Sequence, residues 1–419
     1  MAPVTMVVVG AGDRGTMYAG FARKFPRRLR VVGVAEPREF HRNRLAKTHR
    51  IPAENVFADW RELADRPRLA DAAVIATQDA MHAAPAIALA AKGYHILLEK
   101  PMAPNAEDCR RIVRAAMEAG ILFAVAHVLR YTVYTRKVKE LVASGAIGEV
   151  VNIQHLEPVG YWHQAHSFVR GNWRNSRQSS FTLLAKSCHD LDWISHIMAA
   201  RCRRVSSFGS LNHFRPDRAP AGSANRCLDC PVEPTCPYSA KKIYLERVRQ
   251  GQTGWPVSVL VPEPTEASVT AALRDGPYGR CVYHCDNDVV DHQVVCMEFD
   301  GDRSATFTMT AFNTGGDRRT RIFGTRGMIE GDGSTLWHSD FLTDKTEAIR
   351  PGVPSDGTII SGHGGGDFGL ADAFVTAVAN NDPSAILTGP RESLESHLMV
   401  FAAEQARLER RVVEVNAGV

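Results

Sequence analysis

No stretch of this 419-residue chain approaches the ~20 consecutive apolar residues that a membrane helix needs, so a helical membrane protein is excluded. Charge of one sign is also scarce. Fifty Lys and Arg face 46 Asp and Glu, and a dispersed excess of +4 is too slight for the electrostatic footprint of a nucleic-acid binder. Low-complexity tracts and internal repeats are missing, and Gly and Pro are scattered, which removes the disordered, fibrous and collagenous classes. Met1 to Gly10 lacks a basic n-region and reads as a first strand instead of a signal peptide, so a cytoplasmic protein is expected.

What is present is an ordinary globular composition, 44% hydrophobic and 23% charged, long enough for two or three units. The first third alternates β-branched runs (4–9, 29–35, 72–76, 95–98 and 122–126) with amphipathic segments such as 83–92 and 106–119. That alternation predicts a parallel sheet covered by helices. After Gly148 longer strand-like runs appear at 149–157, 205–214, 293–299, 304–312 and 320–324, implying a large, mostly antiparallel sheet. The tail, 367–379 and 392–414, returns to helical periodicity. The fold class is therefore α/β plus α+β. A dinucleotide-binding domain is expected over 1–128 and a substrate and oligomerisation domain over 129–419, interrupted by a Cys-rich insertion at about 213–290.

Gly10-Ala-Gly12-Asp13-Arg14-Gly15 fits G-x-G-x-x-G between a strand and a helix, the context in which the motif cradles a pyrophosphate at a helix N-terminus. Glu36, at the end of the second strand, suits the ribose hydroxyls of NAD, while Arg38 beside it could pair with the 2′-phosphate of NADP. Glu36 would repel that phosphate, which puts NAD ahead.

Nine cysteines are unevenly placed. Cys227, Cys230 and Cys236 give C-x2-C-x5-C, and Cys281 is the preferred fourth thiolate, with His284 and Cys285 competing. In a reducing compartment four crowded thiols point to structural zinc before disulfides, and the spacing does not match the usual ferredoxin run.

The glycine motif, Thr77-Gln78-Asp-Ala-Met-His82, His95-Ile-Leu-Leu-Glu99-Lys100-Pro101 and His127-Val-Leu-Arg130-Tyr131 together resemble the Gfo/Idh/MocA family of sugar and cyclitol oxidoreductases, over nearly the whole chain. The resemblance implies a Rossmann domain followed by an open sheet whose face forms the sugar site. It also implies that Thr77, Gln78, His82, Glu99, His127 and Arg130 line the cofactor, with Lys100 near the nicotinamide and a substrate hydroxyl. A lysine there, desolvated or near other cations, can relay a proton. Family members commonly carry Asp four residues before the second catalytic residue, His189. Here that position is Ala185, and Lys186 and Asp190 are the available substitutes. Tyr131 is a further candidate for proton transfer.

Trp162, His163, Arg170, Trp173 and Arg174 crowd a loop-like stretch, where flat rings could stack on a pyranose and guanidinium forks could hold an anionic sugar. Three functions are compatible with these residues. The first is an NAD-dependent dehydrogenase taking hydride from a ring carbon of a sugar, glycoside or cyclitol. The second is an NAD-dependent glycoside hydrolase of the kind found in relatives, in which transient oxidation, elimination, water addition and re-reduction give net hydrolysis. The third is a non-catalytic nucleotide-binding or scaffold protein. Homo-oligomeric assembly is expected from the broad sheet.

Overall fold

The computed structural model describes residues 2–352 and 363–416. Six parallel strands, β1 (Val4–Val9), β2 (Leu29–Ala35), β3 (Val56–Phe57), β4 (Ala72–Ile75), β5 (His95–Leu98) and β6 (Phe123–Val125), pair in the order β3-β2-β1-β4-β5-β6. This is the dinucleotide-binding order, with a crevice at the carboxyl ends of the strands. The central strands are buried on both faces, which is why they read as unbroken apolar runs. The sequence predicts five of these strands; β3 is missed because two residues carry no periodicity.

A nine-stranded sheet follows, made of β7 (Val150–Pro158), β8 (Cys202–Ser210), β9 (His292–Phe299), β10 (Arg303–Thr310), β11 (Arg319–Gly324), β12 (Gly327–Gly331), β13 (Leu336–Asp340), β14 (Lys345–Ile349) and β15 (Val413–Glu414). Its order is β14-β13-β12-β11-β7-β10-β9-β8-β15, antiparallel except for the β7–β10 pair. Helix Thr182–Met198 covers one face and is buried along nearly its whole length. Helix Pro390–Glu409 packs on it, on β8 and on helix Ala106–Glu118. One continuous apolar core thus joins Ile75 and Leu98 of the first sheet to Leu184 and Ile194 of that helix and to Ile153 and Phe307 of the second sheet.

Two expectations are corrected. The helix expected to run to 414 stops at Glu409, where Arg410 takes φ 56°, and the chain re-enters the sheet as β15. The stretch around Trp162, expected as loop, is helical: Tyr161–His163 continues into π-type turns over Gln164–Arg170. The insertion has a core of its own, in which Phe214, Tyr238, Tyr244, Val257, Leu273 and Tyr283 pack together. Among the described residues no helix is long and apolar enough to cross a membrane.

Candidate active site

The cofactor crevice is built by backbone geometry. Gly10 has φ +91°, and a Cβ there would stand 2.5 Å from the Ala76 carbonyl oxygen, so only glycine turns the chain off β1. A Cβ on Gly15 would meet the Gly10 carbonyl oxygen at 1.9 Å, which lets helix Asp13–Lys24 start hard against the strand. No described side chain caps that helix, whose N-cap is Gly12, so its first N–H groups are free for a phosphate. At the tip of β2, Glu36 accepts hydrogen bonds from the N–H groups of Ala11 (2.8 Å) and Arg38 (2.9 Å) and from Arg38 Nε (2.7 Å). Burial would raise the Glu36 carboxyl, but these bonds outweigh it and hold the group ionised below its ordinary range.

A second cluster of polar side chains lies where β5 ends. Lys100 Nζ donates to the Ala185 carbonyl oxygen at 2.7 Å, so the lysine reaches from the first domain to helix Thr182–Met198. Its turn is braced from two sides: His82 Nδ1 bonds the Pro101 carbonyl oxygen (2.9 Å), and His397 Nε2 accepts the Met102 N–H (2.9 Å).

On the helix, Lys186, His189 and Asp190 are spaced three and four apart and share a face. Opposite, Ile153, His155 and Glu157 alternate on the buried side of β7. Lys186 Nζ pairs with Glu157 Oε1 at 2.8 Å, and Arg318 Nε stands 2.8 Å from Glu157 Oε2 and 2.7 Å from Asp190 Oδ1. Arg318 Nη2 also donates to His189 Nε2 at 3.1 Å, which assigns the ring proton to Nδ1, a buried atom with no partner among the described residues. Burial, then Lys100 and Arg318, hold His189 well below the ordinary imidazole range against the pull of Asp190. His163 is lowered likewise, by burial first and then by Lys186, His166, Lys100 and Arg318. Three cations, Lys100, Lys186 and Arg318, thus face Glu157, Asp190 and two neutral imidazoles, with Asp317 a third carboxylate beside Arg318. Arg318 and His155 also wall a cavity of about 360 Å³, within the range of small-molecule sites.

Residues 4–127 match the family model described as oxidoreductase family, NAD-binding Rossmann fold, and residues 139–415 match its C-terminal alpha/beta domain. The chain belongs to the Gfo/Idh/MocA family. Among relatives, the YteT protein of Bacillus subtilis (strain 168) is 26% identical over 321 residues, 73% of this chain and 72% of that protein. The 2,7-anhydro-N-acetylneuraminate hydratase of Escherichia coli (strain K12) is 29% identical over 150 residues, 36% of this chain and 39% of the hydratase. In fold, a levoglucosan dehydrogenase solved with NADH and levoglucosan superposes with a TM-score of 0.71 over 99% of each chain at 18% identity.

Several residues expected to face ligands in this Gfo/Idh/MocA chain are committed elsewhere. Arg14 is ion-paired with Glu99 and, at 2.8 Å, with Asp367, tying the glycine turn to β5 and to helix Gly366–Asn380. Arg130 forks onto Asp192, both contacts at 2.7 Å, and donates to the Leu387 carbonyl oxygen. The Tyr131 hydroxyl accepts the Leu387 N–H and bonds Thr388, and burial pushes it up to about 12, so it is a brace and not a proton carrier. His127 is buried beside Asp192, and burial lowers it to about 3. Thr77 Oγ1 caps its own turn onto the Met81 carbonyl oxygen, and exposed Gln78 begins that turn.

The aromatic and guanidinium stretch divides. His163 reaches the cluster of Lys100, Lys186 and Arg318, but Trp162 lies under Arg247 at 4.5 Å and against Trp255. Trp173 donates its indole N–H to Asp79, which Ser180 also bonds. Arg174 pairs with Asp286 at 2.8 Å, and fully buried Arg170 points into the insertion, so neither fork is free for an anionic sugar.

Glu157, His155 and Arg318 were missed. A buried-face alternation ending in His and Glu on β7 was the available signal for the first two. Arg318 has none, since it stands 129 residues from His189 and acquires its role through the β7–β11 pairing. Among the described residues no group of three or more His, Cys, Asp or Glu side chains is arranged as a ready metal-holding set.

Proposed function

We propose that this chain oxidises a ring hydroxyl of a sugar, glycoside or cyclitol with NAD, and that Lys100 and His189 manage the hydroxyl proton. The observation that carries this reading is the meeting of Lys100 with helix Thr182–Met198 at the carboxyl end of β5, beside the crevice that fits a dinucleotide. Bound NAD would supply the hydride acceptor.

The residues divide the remaining work. Gly10, Gly12 and Gly15, with the first turn of helix Asp13–Lys24, hold the pyrophosphate. Glu36 holds the adenosine ribose, and its fixed negative charge favours NAD over NADP. Lys100 Nζ, already donating to a carbonyl oxygen, can give a second hydrogen bond to the reacting oxygen. His189, kept neutral by burial and nearby cations, offers its unpartnered Nδ1–H. The Lys100 ammonium stabilises an alkoxide or enolate as the proton leaves, an electrostatic contribution that is often the largest in catalysis. The cavity beside Arg318 leaves room for a substituent.

A redox-neutral second reading is favoured by Ala185. Without a carboxylate there, the lysine-rich site is suited to eliminating a group next to a transient ketone and adding water, and a relative is named a hydratase. Incubation with NAD and a panel of pyranosides, uronates and inositols separates the two. Stoichiometric NADH supports dehydrogenation; release of an aglycone or hydrated product without net NADH supports the second course. A panel that yields neither, on protein shown to bind NAD, supports the scaffold reading.

Exposed Phe208 on β8 lies directly across from Val294 on β9, with Cys296 exposed two residues on, which supports homo-oligomeric assembly through the open sheet face. Phe208→Glu is expected to lower the mass measured by light scattering.

A further inference from the structure

Arg170 is the largest fully buried side chain among the described residues, with 0% exposure, yet its partners are two carbonyl oxygens and a sulfur. Nε donates to Arg280 O (2.7 Å), and Nη2 donates to Tyr238 O (2.9 Å) and to Cys227 Sγ (3.3 Å). Nη1 has no partner among the described residues. A buried guanidinium without a counter-anion is costly, and the one carboxylate lining the same cavity, Glu233, is paired with Lys241 instead.

Beside that guanidinium lies a cavity of about 20 Å³, enough for a single water-sized guest, and Cys227, Cys230, Cys236 and Cys281 all line it. Their backbones are held in place. Arg226 and Arg280 form a bridge, and the Cys281 N–H bonds the Asn225 carbonyl oxygen at 2.8 Å, pinning the two cysteine-bearing segments together. The Ala224 N–H points at Cys230 Sγ from 3.5 Å, a donor suited to a thiolate. Cys285 instead turns its thiol to the Cys281 carbonyl oxygen and does not line the cavity.

We propose that this cavity binds one redox-inert, thiophilic divalent cation of the zinc class through Cys227, Cys230, Cys236 and Cys281, and that the resulting tetrathiolate is the counter-anion of Arg170. A dication displaces four thiol protons to solvent, leaving a complex of charge 2−, one charge of which the guanidinium offsets. The four sulfurs close around the ion only when it enters, as expected where binding and local folding are coupled. Because Arg170 ends the helical segment that begins at Tyr161 and carries His163, the ion fixes the insertion to a wall of the catalytic cluster. This inference does not depend on the proposed reaction.

Elemental analysis of the full chain, expressed in zinc-supplemented medium and purified without a metal column, is expected to give one zinc per chain. Exchange with Co(II) is expected to give the intense thiolate charge-transfer absorption of a tetrahedral site. Cys227→Ser and Cys281→Ser lose the metal; Cys285→Ser and Cys188→Ser keep it. Arg170→Met keeps the stoichiometry but loses at least tenfold in affinity in chelator competition. Metal-free, folded wild-type protein with no Co(II) spectrum would overturn the proposal, as would disulfides among the four cysteines or iron in place of zinc. Unchanged metal affinity in Arg170→Met would overturn the counter-anion role. If the serine variants fail to fold, wild-type stoichiometry and the Co(II) spectrum still decide.

Discussion

In the proposed reaction Lys100 and His189 are the residues on which the chemistry turns, and they respond differently to change. Lys100→Met removes a proton relay and an alkoxide partner, so kcat should fall about 10²- to 10⁴-fold while NAD affinity, measured calorimetrically, stays within a factor of a few. His189 and His163 are held below the usual imidazole pKa by burial and cations, so both stay neutral as pH falls through 6.5, the ordinary value. The acid limb of kcat/KM should therefore lie below that of a free imidazole. Arg318→Gln removes a cation and the hydrogen bond to Nε2, and the limb should move upward; a limb that stays put would remove Arg318 from the site. At this scale the sequence was informative wherever backbone and neighbours dictate the side chain, as at Gly10, Gly15, Glu36 and Lys100. It misled at Arg170, Arg174 and Trp173, because a guanidinium or indole looks the same in sequence whether its partner is a substrate, Asp286, Asp79 or a thiol.

Elements hold these residues through a small number of buried connections. The Arg130–Asp192 fork ties the 127–131 turn to helix Thr182–Met198, and both side chains are almost wholly inaccessible. Asp192→Asn leaves a buried charge unpaired and should cost about 3–5 kcal/mol in denaturant unfolding. Gly15→Ala places a methyl group 1.9 Å from the Gly10 carbonyl oxygen, so it should abolish NAD binding and lower Tm; retention of tight binding would contradict the assigned turn. Strands with a strong apolar run were legible almost to the residue, as with β1, β2 and β5. The β12–β14 meander was not. Its register comes from β11, and β14 buries no residue, so its own sequence carries little pattern.

For the molecule as a whole, the two sheets share a core crossed by buried neutral histidines. His127 and His166 are lowered to about 3 and His397 to about 4, each chiefly by burial. The unfolded chain binds protons at these rings below about pH 6.5 while the folded one does not. Stability is therefore full above that pH and falls as pH drops toward 3 to 4, with a slope of up to about 1.4 kcal/mol per pH unit for each ring. Urea midpoints measured between pH 7 and 4.5 should decline steadily, and replacing His397 by Gln should flatten the decline. The measurement that most directly tests the central claim is a single turnover on enzyme preloaded with NAD, followed by nicotinamide absorbance across the sugar and cyclitol panel. Wild-type protein should form reduced nicotinamide, transiently or lastingly, with at least one ring substrate, slowed by deuterium at the reacting carbon and at least about 10²-fold by Lys100→Met. Absence of any reduced nicotinamide with every substrate, or an unchanged rate in Lys100→Met, would contradict it.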